Sequence, residues 1–379
     1  MAWEVPVKLE DAVYAATRAA LGEAALATPA LTRAIVDRSQ RYTSDRQRLA
    51  QPTDRAADLA ARAGFFTIAD AMKIAIPIGE LVQRGALPAR RPLRVLDVGA
   101  GCGAMTLGLV ASLAPSIALE VVAIDHDAAA LGIAKAAIQA FTTGREATVT
   151  LVTQSADALR AELPPADLVV LGTVLNELAA ADALALVERA LGAISDDGAV
   201  IVIEPALRDT SRALHAVRDA VITRGTGHVF APCTRRGAPC PALADPNDWC
   251  HEDRALQLSP RTAELARLTH LRDGGMKLAY LTLRKQPLDL VDALVEGLVD
   301  PSSVTAWRIV SAPMPAKGKL EIFGCSAHGR IPLRLLRRHR NPGNRDLERV
   351  DRGDVVVITD ATPDAERVEI RSASNVTRR

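Results

Sequence analysis

The sequence predicts an α/β protein: a doubly wound parallel sheet, preceded by a helical region and followed by a small β-rich module. Three observations carry this. From residue 93, nearly continuous apolar runs alternate with helical repeats ("LRVLDVGAGCG", "AMTLGLVASLA", "LEVVAIDHD", "AAALGIAKAAIQAF"), as in a parallel sheet buried on both faces. The first run ends in a glycine-rich turn that opens a helix. Past residue 300 the texture becomes short apolar–polar alternation broken by turn residues.

Taken in order, "LEDAVYAATRAALGEAAL" and "TPALTRAIVDRSQRY" repeat apolar positions at three and four. Thr28-Pro29 supplies a helix start. "FFTIADAMKIAIPIGELVQRG" is a further helix, expected to kink near Pro77. "LPARRP" closes this helical region, residues 1–92. The sheet domain spans 93–299, continuing with strands at "ATVTLVTQ", "ADLVVLG" and "GAVIVIEP", a helix at "ADALALVERALGAI" and another over 205–225. A proline-rich cysteine loop, 228–253, is inserted before "KLAYLTLRK" returns as a strand of the same sheet. Residues 300–363 form the β-rich module, and 364–379 are expected to be a loose tail.

At 379 residues with 49% hydrophobic content, the chain suits two domains and a sizeable core. Aromatics are only 3% and alanine is abundant, which favours helices and a tight aliphatic core. No apolar run approaches the ~20 residues of a membrane span. "MAWEVPVKLED" lacks a basic-then-apolar leader, so the expectation is a cytoplasmic monomer with no membrane partner. Charge is uneven: residues 1–94 carry 14 basic and 10 acidic side chains, 95–204 carry 4 and 14, and 205–379 carry 28 and 21. An acidic centre between basic ends marks an anion-binding face on the flanking parts.

"VLDVGAGCGAM" sets Gly99, Gly101 and Gly103 between strand and helix, and Asp125 ends the next strand. Glycines let backbone approach a ligand, and an acid after the second strand suits ribose hydroxyls. Dinucleotides and S-adenosylmethionine both fit. With Asp97 before the glycines and Asp157 in "SADAL", the loop resembles the first motif of class I methyltransferases. That resemblance implies their Rossmann-like fold and S-adenosylmethionine as cofactor, with Asp97 at its methionine amino end, Asp125 at the ribose and Asp157 at the adenine. Asn176, in the turn after the fourth strand, is a further cofactor-side candidate or a helix cap. Cys102 reads as a packing residue. That turn, "LGTVLNEL", lacks the prolines and aromatic ring that would stack a flipped base, and no cysteine follows the fourth or fifth strand. No catalytic base or nucleophile can be named.

The chain has five cysteines, and Cys233, Cys240 and Cys250 crowd into the inserted loop. With Cys325 they make one four-thiolate set. The C-x6-C-x9-C spacing lacks the paired C-x2-C arms of zinc ribbons, whereas four thiolates also suit a 4Fe–4S cluster. Zinc is the alternative, and His251 a replacement ligand. "CTRRGAPCPALADPNDWCHED", followed by "KLAYLTLRK" and a basic tail with one more cysteine, resembles the small-ribosomal-subunit methyltransferase-like family, which includes a mitochondrial small-subunit assembly factor and bacterial relatives. The chain keeps Cys240-Pro241, Leu243 and Trp249-Cys250-His251 of the bacterial C-P…C-P-L…W-C-H pattern, and the resemblance spans about residues 30–358. It departs at Thr234, where proline is usual, and at "LSPRTAELARLTH", where arginines are usual. The resemblance implies S-adenosylmethionine binding, a 4Fe–4S cluster on Cys233, Cys240, Cys250 and Cys325, and contact with small-subunit rRNA during assembly.

"HGRIPLRLLRRHRNPGNR" adds Arg330, Arg334, Arg337, Arg338, Arg340 and Arg345 with no acid, an expected phosphate-contacting segment. The expected function is small-subunit assembly. The alternatives are an active rRNA methyltransferase with a structural cluster, and a zinc-stapled methyltransferase acting on a small molecule or protein.

Overall fold

Five parallel strands and an antiparallel return strand organise the computed structural model, which describes residues 3–43, 54–235, 237–272, 275–288, 290–291, 304–361, 363–364 and 366–379. The chain opens with β1 (Trp3–Glu4), α1 (Val7–Leu21), α2 (Thr28–Thr43) and α3 (Arg55–Ala61). A π-helical turn (Arg62–Thr67), α4 (Ile68–Ala71), a 3-10 turn (Met72–Ile74) and α5 (Ala75–Gln83) follow. Then come β2 (Leu93–Val98), α6 (Ala104–Ser112), β3 (Leu119–Asp125), α7 (Ala128–Thr142), β4 (Val149–Ser155), β5 (Ala166–Gly172), α8 (Ala180–Ala193), β6 (Ile194–Pro205), α9 (Arg208–Arg224) and β7 (His228–Ala231). The cysteine loop leads into β8 (Glu252–Arg254), β9 (Leu256–Gln257), α10 (Pro260–Thr269) and β10 (Met276–Arg284).

The main sheet runs β4-β3-β2-β5-β6-β10-β7, with β8 beside β10. Strands β4, β3, β2, β5 and β6 are parallel, and β10 enters antiparallel between β6 and β7. This is the class I methyltransferase sheet. The strand order reverses between β2 and β5, so their carboxyl ends open the crevice where such sheets bind ligands. Strand β5 is buried along its whole length, which explains its unbroken apolar sequence.

Helices α1–α5 join this body rather than standing apart. Val13, Ile68, Ile74 and Ile78 share one core with Val95, Val121 and Ile138 on one sheet face. Helices α8 and α9 cover the other face through Leu186, Val187, Leu214 and Val221. The buried Glu10 carboxylate of α1 accepts hydrogen bonds from Ser259 Oγ at 2.7 Å and Thr262 N–H at 2.8 Å, tying α1 to the start of α10. The kink expected at Pro77 lies elsewhere: the helical line breaks at the π turn and at Met72–Ile74. Pro77 sits in the first turn of α5, where a backbone N–H has no intrahelical acceptor to lose.

The C-terminal module has its own core, built on Trp307, Ile309, Ile322, Leu333 and Val356. Its strands are β11 (Thr305–Ile309), β12 (Met314–Ala316), β13 (Lys319–Ser326), β14 (Gly329–Leu336), β15 (Val355–Thr359), β16 (Val368–Ile370) and β17 (Asn375–Arg378), in the order β16-β14-β13-β11-β15-β17 with β12 beside β13. The boundary expected at 299/300 lies outside the described residues. The loose tail expected from 364 is corrected: β16 pairs with β14 and β17 with β15. Val368, Ile370 and Val376 are buried, but each strand is too short to show a period in the sequence.

The module docks through Arg308 of β11, which is 3% exposed. Its guanidinium pairs with Glu80 of α5, with Glu252 of β8 at 2.7 Å, and donates to Tyr280 Oη of β10 at 2.9 Å. One buried cation thus joins the module, the N-terminal helices and the main sheet. Among the described residues, no helix is long and apolar enough to cross a membrane.

Candidate functional site

A cleft of about 1220 Å³ opens at the carboxyl ends of β2 and β5. Gly99, Gly101, Asp125, Asp157 and Asn176 all line it. Gly99 has φ +74°, and a Cβ there would stand 2.2 Å from Val174 Cγ2, so the bare backbone is required. Asp125 accepts from Gly101 N–H and from Asp127 N–H, both at 2.8 Å, and so locks the glycine loop to the next strand's turn. Asp157 accepts from Leu159 N–H at 2.8 Å.

Two predicted residues lie off the cleft wall. Gly103 has φ +85°, and a Cβ there would meet Ala134 Cβ at 3.0 Å, so its role is close packing of α6 on α7. Asp97 is sealed beneath the loop, where its carboxylate accepts from Thr106 Oγ1 at 2.6 Å. Its other oxygen has no partner among the described residues, and burial pushes its pKa up to about 6.

The sequence did not disclose the roof. Helices α2 and α3 and the π turn bring Arg38, Tyr42 and Arg62 over the cleft. Asp58 of α3 holds Arg38 at 2.8 Å and Arg41 at 2.6 Å. Arg62 pairs with Asp127, and Tyr42 Oη donates to Glu177 Oε1 at 3.3 Å. The wall beside Pro205 holds buried Lys73, whose pKa burial lowers, in an ion pair with Asp70 at 2.9 Å. Arg272 holds the same Asp70 at 2.9 Å. Behind this wall, Glu204 accepts from Leu175 N–H at 2.9 Å and braces the turn carrying Asn176. Burial raises its pKa to about 7. Acidic side chains, a bare glycine backbone and a roof of Tyr42 and two carboxylate-held arginines thus enclose the cleft. No arrangement here identifies a catalytic base.

The second constellation lies where the main body meets the β module. Cys233, Cys240 and Cys250 come from the inserted loop and Cys325 from β13, and all are free thiols. In every pairing among the four, charge on one sulfur opposes ionisation of the other. With burial as the larger cause, this raises Cys240 to about 11, Cys325 to about 12 and Cys250 well above the usual range. The thiols are gathered, yet among the described residues no three side chains stand as a finished metal-coordinating group. Thr234, the departure from the family pattern, is buried and donates its hydroxyl to Cys325 O at 2.7 Å. Arg235 adds a bond to Ser326 O at 2.9 Å.

One stripe of α9 shapes the loop. Arg212 Nη1 donates to the carbonyls of Ala242, Asp245 and Asp248 at 2.6–2.8 Å. His215 Nε2 meets Cys250 O at 3.1 Å, Arg218 Nη1 donates to Ala238 O at 2.7 Å, and Asp219 accepts from Cys240 N–H at 3.0 Å. These residues recur at three and four, so they share a face of the helix. That repeat is a polar stripe in the sequence, and its meaning emerges only beside the loop.

The basic segment is more constrained than expected. Arg330 pairs with Asp248, Arg334 with Glu369, and Arg340 with Glu348 at 2.7 Å. Arg337, Arg338 and Arg345 are exposed with no acidic partner among the described residues.

A family model described as "Mitochondrial small ribosomal subunit Rsm22" matches residues 80–355. No curated protein matches the chain. Among solved structures, magnesium protoporphyrin IX methyltransferase from Synechocystis, with bound S-adenosylmethionine, shares 14% identity over 67% of this chain and 97% of its own, with TM-score 0.37. An S-adenosylmethionine-dependent methyltransferase from Leishmania major shares 16% over 59% and 76%, with TM-score 0.38. A putative RNA methyltransferase from Pyrococcus horikoshii shares 13% over 59% and 85%, with TM-score 0.33. The fold assignment itself rests on the strand order.

Proposed function

The chain belongs to the family of the mitochondrial small ribosomal subunit protein Rsm22, and from that membership we propose that it is a small-subunit assembly factor. In this reading it binds S-adenosylmethionine in the cleft, a 4Fe–4S cluster at the cysteine junction and small-subunit rRNA on its basic face. What supports the reading is the family membership, together with the mutual effect of the four thiols, in which charge on one opposes ionisation of the others.

The cleft residues fit the cofactor. Gly99 and Gly101 leave the backbone bare, Asp125 faces the ribose position and Asp157 the adenine position. S-adenosylmethionine supplies a transferable methyl group when bound, and the chain's own part is to orient it and exclude water beneath Arg38, Tyr42 and Arg62. The four sulfurs are a donor set for an inorganic centre, since thiolates that oppose one another's ionisation need a cation to form together. Cys233, Cys240, Cys250 and Cys325 would hold it. Arg337, Arg338 and Arg345 suit phosphate contacts that are blind to sequence.

Metal analysis of anaerobically purified protein tests the centre. Iron with sulfide supports the cluster, zinc alone replaces it by a zinc staple, and neither metal removes the tetrathiolate reading. Replacing Arg337, Arg338 and Arg345 together by Gln should flatten the salt dependence of binding to small-subunit rRNA by roughly 0.7–0.9 in log–log slope per lost contact. An unchanged slope excludes that face. Labelled methyl groups appearing in immature small-subunit RNA would make the protein an active methyltransferase instead.

A further inference from the structure

Within the α9 stripe, Arg212, His215 and Asp219 spend their polar groups on the loop backbone. Arg218 differs. It is 1% exposed, and beyond its bond to Ala238 O and its pairing with Asp219, its Nε and Nη2 reach no acceptor among the described residues. Open donors on a buried guanidinium are costly. The helix itself gives no reason for a charge there, because the neighbouring Leu214, Val217 and Val221 of the same helix pack in the apolar core. Arg218 stands against the cysteine loop: its Nη1 holds Ala238 O between Cys233 and Cys240, its neighbour Asp219 accepts from Cys240 N–H, and charge on the Cys233 and Cys240 sulfurs would stabilise its own.

Charge arithmetic explains the arrangement. Four thiolates around one divalent metal, or around a cluster core of charge 2+, leave two net negative charges in a dry seam. Such a dianion needs cationic donors. Arg330 is already paired with Asp248, and Arg235 donates to Pro239 O at 3.1 Å and Ser326 O at 2.9 Å. Among the described residues, Arg218 alone combines full burial with open donors at the loop that carries the thiols.

We propose that Arg218 is the charge partner of the tetrathiolate centre, its Nε–H and Nη2–H donating to the thiolate sulfurs of Cys233 and Cys240. This rests on the metal reading above and adds what that reading lacks, a source of compensating charge. Arg218 is a positioning residue and takes no part in coordination.

The test uses the full chain, stripped of metal under reducing conditions and titrated with Co²⁺, whose thiolate charge-transfer absorption reports four-sulfur binding. Arg218→Met should bind Co²⁺ roughly 10- to 100-fold more weakly, the span expected for losing charge-assisted hydrogen bonds. Arg218→Lys should recover most of the affinity. The metal-free Met variant should melt no lower than metal-free wild type, because an uncompensated buried charge has been removed. Arg224→Met, on the same helix but paired with Glu188 away from the loop, serves as the control: it should change the melting temperature of both forms alike, if at all, and leave Co²⁺ affinity unchanged. Wild-type affinity and spectrum in Arg218→Met would overturn the proposal, and so would its collapse without metal, which would make Arg218 a packing residue. A wild-type chain that gives no charge-transfer band would instead remove the metal reading and this inference with it.

Discussion

The cleft is framed by strand ends and a bare glycine turn on which Asp125, Asp157 and Asn176 are set, whereas the cysteine junction is made by side chains from a loop and a distant strand. The cleft follows from topology: wherever β2 and β5 part, an opening forms, and glycines keep it clear. The junction has no such guarantee. Among the described residues, its loop contains only a short 3-10 turn, Pro241–Leu243, of regular structure between β7 and β8, and α9 holds its carbonyls one at a time. A site made by the backbone tolerates drift in its side chains. A site made by side chains depends on a scaffold, and that scaffold is as functional as the ligands.

This contrast can be broken or sharpened by experiment. The largest effect is expected from Cys240→Ser, which should abolish metal binding and loosen the β module, read by metal analysis and limited proteolysis, while Cys102→Ser in the glycine loop leaves metal content intact. Equal metal loss in both would erase the distinction between the two sites. Next, Arg308→Met leaves half-buried Glu80 only the Tyr280 hydroxyl and buried Glu252 only Arg254, and should cost about 3 kcal/mol in urea unfolding. A loss under ~1 kcal/mol would mean that the junction, not this network, secures the module.

Smaller effects fall in the cleft. Gly99→Ala forces a side chain into φ +74° against Val174 and should cost about 1–3 kcal/mol and weaken S-adenosylmethionine binding by calorimetry. Gly101→Ala meets only Arg62 Nη2, at 3.4 Å, and should do less; the reverse ranking would contradict the backbone argument. The smallest effect is conditional on pH. Burial raises the folded pKa of Glu204 to about 7 from its ordinary 4.5. Between those values the unfolded chain releases the proton that the folded chain keeps, so rising pH favours unfolding. The penalty is absent below 4.5 and complete above about 7. Glu204→Gln should therefore be near neutral at low pH and stabilising by roughly 1–3 kcal/mol in mildly alkaline solution. A difference that does not change with pH would show that burial leaves the Glu204 pKa at its ordinary value.

Much of the cleft could be read in advance, because strand alternation and a glycine turn are written in adjacent residues. Asp125, Asp157 and Asn176 were found from their places after strands. Gly103 and Asp97 show the limit of that reading: their spacing fits a ligand motif, yet one packs α7 and the other lies beneath the loop. The tail strands were missed because three or four residues carry no detectable period. Arg330 and Arg334 were read as free cations, since their partners Asp248 and Glu369 lie outside the local run.

By itself the sequence determined the order of strands and helices, the glycine turn and the scarcity that made four cysteines conspicuous. These depend on backbone preference and on residues a few positions apart. Only the tertiary structure decided that α9 supplies the cysteine loop's scaffold, that Arg308 locks the module and that α2 and the π turn roof the cleft. Each of those depends on which surfaces the sheet order brings together, and burial then decides whether a charge is a solvated ornament or a structural joint.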